Sequence, residues 1–440
     1  MGILDRYFEL EAHGTSVRRE ALAGLTTFVT MAYIIVVNPA ILSNANIPAG
    51  PAMVATIATA IFGTLIMGLY ARRPFAIAPY MGENAFIAFT VVVALGYTWQ
   101  QALAAVFIAG VLFILLTIGR VRQWLVEGVP PALRYSFAVG IGLFMTFIGL
   151  NETGIVVLGV KDAPVRLGDI SSLPVLLSLF GFLTIVTLMI MKVRGAILLG
   201  ILATAAVAFL SGASAPPGSY LSAPPSLQPI LWQLDFSALW SVGFLGVVLT
   251  VFVMAFVDTM GTLIGVAARA GFLDAEGNLP QIERPMLADA LATTFAGAVG
   301  TTTAGAYIES ATGVEAGGRT GLTAVFTALL FAGALFFAPL VAAIPPQAYG
   351  PALIVVGLQM VEPVTRINFG DFTEVVPAFA TVALMSFTFN IGVGLTAGFV
   401  LYPSCKFAAG RSGEIKPGLW VLAALSLLFF IFYPYRSGGG

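Results

Sequence analysis

The sequence predicts an all-α polytopic membrane protein with fourteen transmembrane segments arranged as a 7+7 inverted repeat. Three observations predict it: apolar runs of spanning length recur from end to end, Lys and Arg fall on one side of the resulting topology, and the second half echoes the first. The 440 residues are 59% hydrophobic and only 9% charged. So few charged residues cannot cover the surface of a water-soluble chain, so lipid must be the solvent for much of it.

The apolar runs take the following order. After a polar amino-terminal segment, 1–21, seven lie near 22–42, 51–70, 75–94, 99–119, 133–158, 171–191 and 195–211. A stretch rich in Pro and Ser and free of Lys and Arg, 212–238, reads as an extracytoplasmic linker. Seven more runs lie near 239–266, 286–300, 304–318, 320–343, 350–365, 374–390 and 392–408. One further apolar segment, 418–434, reads as either an added crossing or a surface helix.

With a cytoplasmic amino terminus, seventeen of the twenty Lys and Arg residues fall inside, among them Arg120, Arg122, Lys192, Arg194 and Lys406. Only Lys161 and Arg166 fall outside, with Arg436 unassigned. That asymmetry is the orientation signal of an inner-membrane protein. The segment ahead of the first run is charged, so no cleaved signal peptide is read there.

Three echoes give the repeat. TTFVTMAY (26–33) matches TVFVMAF (250–256), LAAVF (103–107) matches LTAVF (322–326), and PPALRYSFAVGIGLFM (130–145) matches PPQAYGPALIVVGLQM (345–360). They keep their order, at offsets of 224, 219 and 215. Seven spans per half is an odd number, so the second half is inverted, as in many secondary transporters.

Two segments are poor conventional spans, and they hold matching places in the repeat as spans 3 and 10. RRPFAIAPYMGENAFIAFTVV (72–92) is interrupted by Pro79, Gly82, Glu83 and Asn84; GAVGTTTAGAYIESATGVEAGGR (297–319) is interrupted by glycines, by Thr301, Thr302 and Thr303, and by Glu309. Their offset is consistent, since 84 + 225 = 309. Each reads as a short extended stretch leading into a half-helix, with helix starts after Gly82 and Gly305 offering backbone N–H donors. Non-helical backbone at membrane depth belongs where it is buried in protein or lines a cavity. The bland alternative is a Gly-rich packing bend.

A third feature is Asp258, flanked by apolar residues for more than a turn on both sides. An ionisable group there is a functional candidate by default. Thr262 lies one turn on, and Gly261 with Gly265 suggests close helix packing. No Lys or Arg lies within the core spans to make a structural ion pair with it. Carboxylates accept from N–H groups and Asn both donates and accepts, so Asp258, Glu309, Asn84 and Glu83 suit a flat, N–H-rich heterocycle better than an inorganic anion. Glu315 and Asp289 read as solvated, near loops.

Composition also excludes function classes. A net charge of −1 offers no basis for nucleic-acid binding. The single Cys405 and the single His13 exclude a disulfide framework and a His-based metal site, and no cofactor motif is present. No Ser–His pair or HExxH supports an intramembrane enzyme, and matched broken spans suit alternating access better than a passive channel.

From FELEAHGTSVRREALAGLTTFVTMAYIIVVNPAIL through GENAFIAF and FVDTMGTLIGVA to TTTAGAYIESATGVEAGGRTGLTA, the chain resembles the azaguanine-type branch of the nucleobase:cation symporter-2 superfamily. The resemblance implies a proton-coupled importer of the purine nucleobases adenine, guanine and hypoxanthine, with core and gate domains. The core would be 22–119 (spans 1–4) and 239–343 (spans 8–11); the gate would be 133–211 (spans 5–7) and 350–408 (spans 12–14). The family's substrate-binding carboxylates fall on Asp258 and Glu309, and its third-span Asn on Asn84. Gly82, Glu83, Thr262, Thr302, Thr303 and Gly305 complete the expected substrate site, and Asp258 and Glu309 the proton-coupling pair. A homodimer packed through the gate domain is also implied. Two departures stand out. Many relatives have Gly-Met-Gly-Leu-Asn where this chain has Tyr80-Met81-Gly82-Glu83-Asn84, and uracil and xanthine relatives often carry His where Thr262 stands. An anion carrier of the sulfate-permease type is the main alternative on the same kind of fold.

Overall fold

The computed structural model describes residues 3–119, 128–160, 163–274 and 279–432. Arg120, Arg122, Lys161 and Arg436 lie outside the described residues.

A short helix, α1 (Ile3–Phe8), precedes a first span that is itself broken. Its halves are α2 (Val17–Met31) and α3 (Ile34–Ser43), with Ala32 and Tyr33 at the break. α4 (Ala49–Leu69) follows, then strand β1 (Ile77–Pro79) and the half-helix α5 (Met81–Ala85), which continues as a π-helical stretch, Phe86–Ala94. α6 (Trp99–Ile118) starts at a capping box in which Thr98 and Gln101 satisfy each other's backbone N–H groups. α7 (Pro131–Glu152) opens with proline at its first position, where the missing N–H costs nothing. The hairpin β2 (Val156–Val160) and β3 (Ala163–Leu167) comes next, then α8 (Leu173–Ile190) and α9 (Ala196–Leu210).

The second half repeats this order. α10 (Val242–Ala270) stops where Gly271 turns left-handed at φ 68°. α11 (Glu283–Val299), strand β4 (Ala304–Ala306) and the half-helix α12 (Ser310–Glu315) follow. The chain continues through α13 (Gly321–Ala334), α14 (Ala338–Ala343), α15 (Pro346–Gln359), α16 (Phe372–Phe387) and α17 (Ile391–Ala408) to α18 (Pro417–Phe432). Among the described residues, eight helices are long and apolar enough to cross a bilayer, and shorter apolar helices include the 81–94 stretch. The polytopic helical fold expected from the sequence is the one observed.

The halves interleave. α4 packs on α11 and α13, α6 on α10 and α11, and α2 on α12 and α13. Separately, α7 packs on α15 and α16, α8 on α9 and α15, and α16 on α17.

Four expectations need correction. The run 133–158 is not one span: α7 ends at Glu152, and the β-branched Val156–Val160 turns into a hairpin strand. The run 350–365 is displaced, because α15 begins at Pro346 and ends at Gln359, and Glu362–Arg366 forms a 3₁₀ turn. The 212–238 linker lies folded onto the helices: Trp232 N donates to Ala298 O (2.7 Å), Asp235 N to Gln100 O (3.2 Å), and Ile230 is fully buried. Lys406, expected in a loop, sits in the last turns of α17 with its side chain buried. α18, read from the sequence as either a crossing or a surface helix, packs on α17 and α10.

Candidate functional site

The two broken segments meet. β1 pairs antiparallel with β4 in the register Ile77↔Ala306, Ala78↔Gly305 and Pro79↔Ala304. Tyr80 N donates to Thr303 O and Tyr307 N to Ala76 O, both 2.9 Å, extending the ladder at each end. A two-stranded ribbon has two open edges, which are costly in a dry interior. Threonine hydroxyls from repeat-related helices satisfy both. Thr64 of α4 donates to Ile77 O (3.1 Å) and accepts from Ile77 N (2.9 Å). Thr293 of α11 does the same for Ala304, at 2.8 and 3.1 Å. Asp289 Oδ2 accepts Ala306 N at 3.1 Å. Asp289 is therefore not solvated, as its sequence position suggested; it is buried and braces the crossing from α11.

Around this crossing the candidate residues group as follows. Glu83 and Asn84 lie in α5, both completely buried. Neither carboxylate oxygen of Glu83 meets a protein donor, and the Asn84 amide nitrogen is likewise unpartnered. The Thr302 hydroxyl donates to Asn84 Oδ1, so span 10 fixes the amide's orientation. Thr303 is buried with its hydroxyl unpartnered. Asp258 stands in the middle of α10, the helix on which α5 with Glu83 packs, and the two acids interact electrostatically. Thr262 is half-buried one turn further along α10. Glu309 precedes α12, and its Oε1 accepts the Tyr33 hydroxyl at 2.7 Å from the break in span 1.

The helix starts differ from expectation. α5 begins at Met81, one residue before Gly82, and the chain after Gly305 is extended only to Ala306 and turns at Ile308 and Glu309 before α12 opens at Ser310. Gly82 faces Ile141, and a side chain at Gly305 would strike the Tyr80 ring. Gly261 faces open space and not a neighbouring helix, so the Gly261–Gly265 pair does not mark a helix contact.

Sequence reasoning missed the tyrosines. Tyr80 shares a hydrogen bond with Thr259 (3.1 Å), and Tyr307 donates to Pro79 O (2.5 Å). Their rings lie parallel, with centroids 6.4 Å apart. Tyr307 is within electrostatic reach of both Glu83 and Glu309. Only the internal echo TTFVTMAY touched Tyr33, and nothing in it singled out the phenol.

A cavity of about 430 Å³ opens beside Glu309. Thr30, Thr312 and Glu315 line one side, and Lys192, Arg194 and Gln359 the other. Its size suits a small molecule, whose sites run about 300–1,000 Å³. Asp258 is not among its lining residues. Among the described residues, none of the ion pairs involves Glu83, Asp258 or Glu309, and no His/Cys/Asp/Glu group has the makings of a metal site.

Comparison with known proteins agrees with this architecture. A family model described as "Permease family" matches residues 18–401. A permease of Methanocaldococcus jannaschii is 45% identical over 438 residues, covering all of both chains. The guanine/hypoxanthine permease PbuO of Bacillus subtilis is 43% identical over 96% of this chain and 99% of its own. The adenine permease AdeQ of Escherichia coli is 41% identical over 98% of this chain and 96% of its own. In fold, the chain is similar to the transmembrane domain of the cyanobacterial bicarbonate transporter BicA, with a TM-score of 0.63 at 15% identity, covering 87% of this chain and 97% of that one. The chain belongs to this permease family of multi-span membrane proteins, in the branch that includes the named adenine and guanine/hypoxanthine permeases, and it is not an enzyme.

Proposed function

We propose that the protein is a proton-coupled symporter that imports purine nucleobases (hypoxanthine, guanine and adenine) across the inner or plasma membrane by alternating access. The observation that carries this reading is the set of carboxyls around the β1–β4 crossing, fully buried Glu83 with half-buried Asp258 and Glu309, none of them in a described ion pair. Such a site attracts N–H donors and protons and repels anions, so it disfavours the sulfate-permease alternative despite the fold it shares with an anion transporter. The names of the relatives support the substrate class.

In this reading Glu309 accepts ring N–H groups of the purine, and Asn84, held by Thr302, donates and accepts beside it. Gly82, Glu83, Thr262, Thr303 and Gly305 shape or line the site, and Asp258 carries the coupling proton, with Glu309 as its partner in coupling. Spans 1–4 and 8–11 act as the core that moves against the gate of spans 5–7 and 12–14, through which two copies pack as a dimer. The Lys and Arg distribution supports a cytoplasmic amino terminus. In that orientation Lys192 and Arg194, which line the 430 Å³ cavity with Glu309, support its opening to the cytoplasm.

The test is uptake of radiolabelled hypoxanthine, guanine and adenine by cells or proteoliposomes, with and without a protonophore. Accumulation above the external concentration that collapses with the protonophore is expected. Uptake of none of the three, or accumulation that tracks a sodium gradient alone, rejects the reading.

A further inference from the structure

We propose that Glu83 and Asp258 form one proton-sharing pair, so that the coupling proton lies between two carboxyls from spans 3 and 8. The inference rests on the proton-coupled reading above and deepens it. It starts from a burial problem. Glu83 is completely buried in the first turn of α5, and no described N–H or O–H of another residue hydrogen-bonds either of its oxygens. A buried ion without donors is among the costliest arrangements a protein can hold. α5 packs directly on α10, and the group of α10 that interacts with Glu83 is another acid, Asp258. Two ionised carboxylates are acceptors only and repel; with one proton between them they become a donor and an acceptor.

The neighbours are otherwise committed. Tyr80 is engaged with Thr259, Tyr307 with Pro79 O, Glu309 with Tyr33, and Asp289 with Ala306 N. α7, packed on Gly82, presents Ile141 there, and its charged residues Arg134 and Glu152 lie towards its two ends. Among the described ion pairs no cation reaches either acid. On loading, a proton from external water bonds to one carboxylate oxygen and hydrogen-bonds the other, taking the pair from two negative charges to one. On the cytoplasmic side the O–H bond breaks, the proton returns to water, and both charges reappear. Because α5 follows β1 while Asp258 stands in α10, the proton would also fasten the crossing to span 8.

The pair makes Glu83→Gln and Asp258→Asn equivalent. Each replaces one acid with an amide that donates permanently, as the protonated acid would. The experiment uses full-length protein in proteoliposomes, labelled hypoxanthine and an imposed pH gradient. Both variants are expected to keep measurable hypoxanthine exchange and to lose gradient-driven accumulation. Their exchange should be indifferent to pH where the wild type weakens at alkaline pH, and the double variant should be no worse than either single one. Glu83→Asp, which keeps the pair with a shorter arm, should restore proton-driven accumulation.

Protonophore-sensitive accumulation by Glu83→Gln would overturn the pair and leave the proton on Asp258 alone. Exchange lost in Glu83→Gln but kept in Asp258→Asn would limit Glu83 to binding purine, with no share in the proton, and would overturn the pair too. Should Glu83→Gln fail to fold, two measurements still decide: accumulation by Glu83→Asp, and infrared difference spectra of the wild type between acid and alkaline pH. Absence of a titrating protonated-carboxyl band in those spectra sinks the proposal. Failure of the wild type itself to transport purine rejects the parent reading instead.

Discussion

The Tyr33 hydroxyl donates to Glu309 Oε1 over 2.7 Å, joining the break in the first span to the start of the half-helix in the tenth. The bond orients one oxygen of the carboxylate and leaves the other for the cavity. Glu309→Gln turns an acceptor-only group into one carrying a donor that would face the purine's own N–H groups. Purine affinity, measured by calorimetry on purified protein, should fall roughly ten- to a hundredfold, the equivalent of about 1–3 kcal/mol. Asp258→Asn should cost less. Tyr33→Phe, which removes only the orienting donor, should cost about 1 kcal/mol. Near-normal binding by Glu309→Gln would point to a different anchor.

Gly305 makes room for Tyr80. A Cβ at position 305 would collide with both the hydroxyl and the ring of Tyr80. Gly305→Ala must push the phenol off Thr259 and strain the ribbon, at a cost of about 1–3 kcal/mol. Thermal unfolding of the detergent-purified protein should show the loss, and Tyr80→Leu in the same chain should recover part of it. No recovery means that the ring is not what the glycine accommodates.

Glu20 caps a helix that is not its own. From α2 it accepts Arg319 N (3.0 Å), Thr320 N (3.3 Å), Thr323 N (3.1 Å) and Thr323 Oγ1 (2.5 Å) at the start of α13. A carboxylate at a helix N-terminus also meets the positive end of the dipole. Glu20→Ala leaves several buried donors unmet and should destabilise by about 3 kcal/mol; Glu20→Gln, which keeps an acceptor, should cost about 1 kcal/mol. Equal melting temperatures for the two variants would mean that the hydrogen bonds contribute little.

Beyond the membrane spans, Asp371 and Glu414 share Arg411 and the buried Lys406. The Thr373 hydroxyl and then Arg411 hold the Asp371 carboxyl well below its usual range; Arg411 and then Lys406 hold Glu414 down. Both acids are depressed in the folded state. Their stabilisation is therefore complete above the ordinary carboxylate range and fades as pH falls through it. The melting temperature should drop between about pH 5 and pH 3, less steeply in Asp371→Asn, and the effect should be modest because the cluster lies near the surface, with Glu414 about half exposed. An unchanged slope in Asp371→Asn would assign the acid sensitivity elsewhere.

The sequence made the interruptions legible. Pro79, Gly82 and the Thr301–Thr303 run break hydropathy that would otherwise read as ordinary spans, and the apolar runs recovered most element boundaries within a few residues. Depth and direction were not legible. Asp289 sits near a loop in sequence yet is buried against β4, because the short tenth span brings the chain back inside the protein. Gly261 and Gly265 have the spacing of a packing motif, but spacing does not say which face of α10 meets a neighbour. Val156–Val160 is as apolar as the helix before it, so the hairpin was absorbed into the span. The tyrosines were invisible for a different reason: their roles depend on partners over 200 residues away, as with Tyr33 and Glu309 (309 − 33 = 276).

The β1–β4 ribbon also bears on how the chain is made. Ile77 waits for Ala306, 306 − 77 = 229 residues later. At ribosomal rates of about 5–20 residues per second, that is on the order of ten to forty seconds. Through that interval the nascent third segment holds polar backbone groups at membrane depth, with only Thr64 from its own half to meet them. A newly inserted amino-terminal half is thus an unfinished solute, dependent on the insertion machinery or on lingering water until its counterpart arrives. Severing the gene within 212–238 and expressing the pieces together should yield a working protein only when both are synthesised at the same time, since either fragment left alone is the natural substrate of membrane quality control.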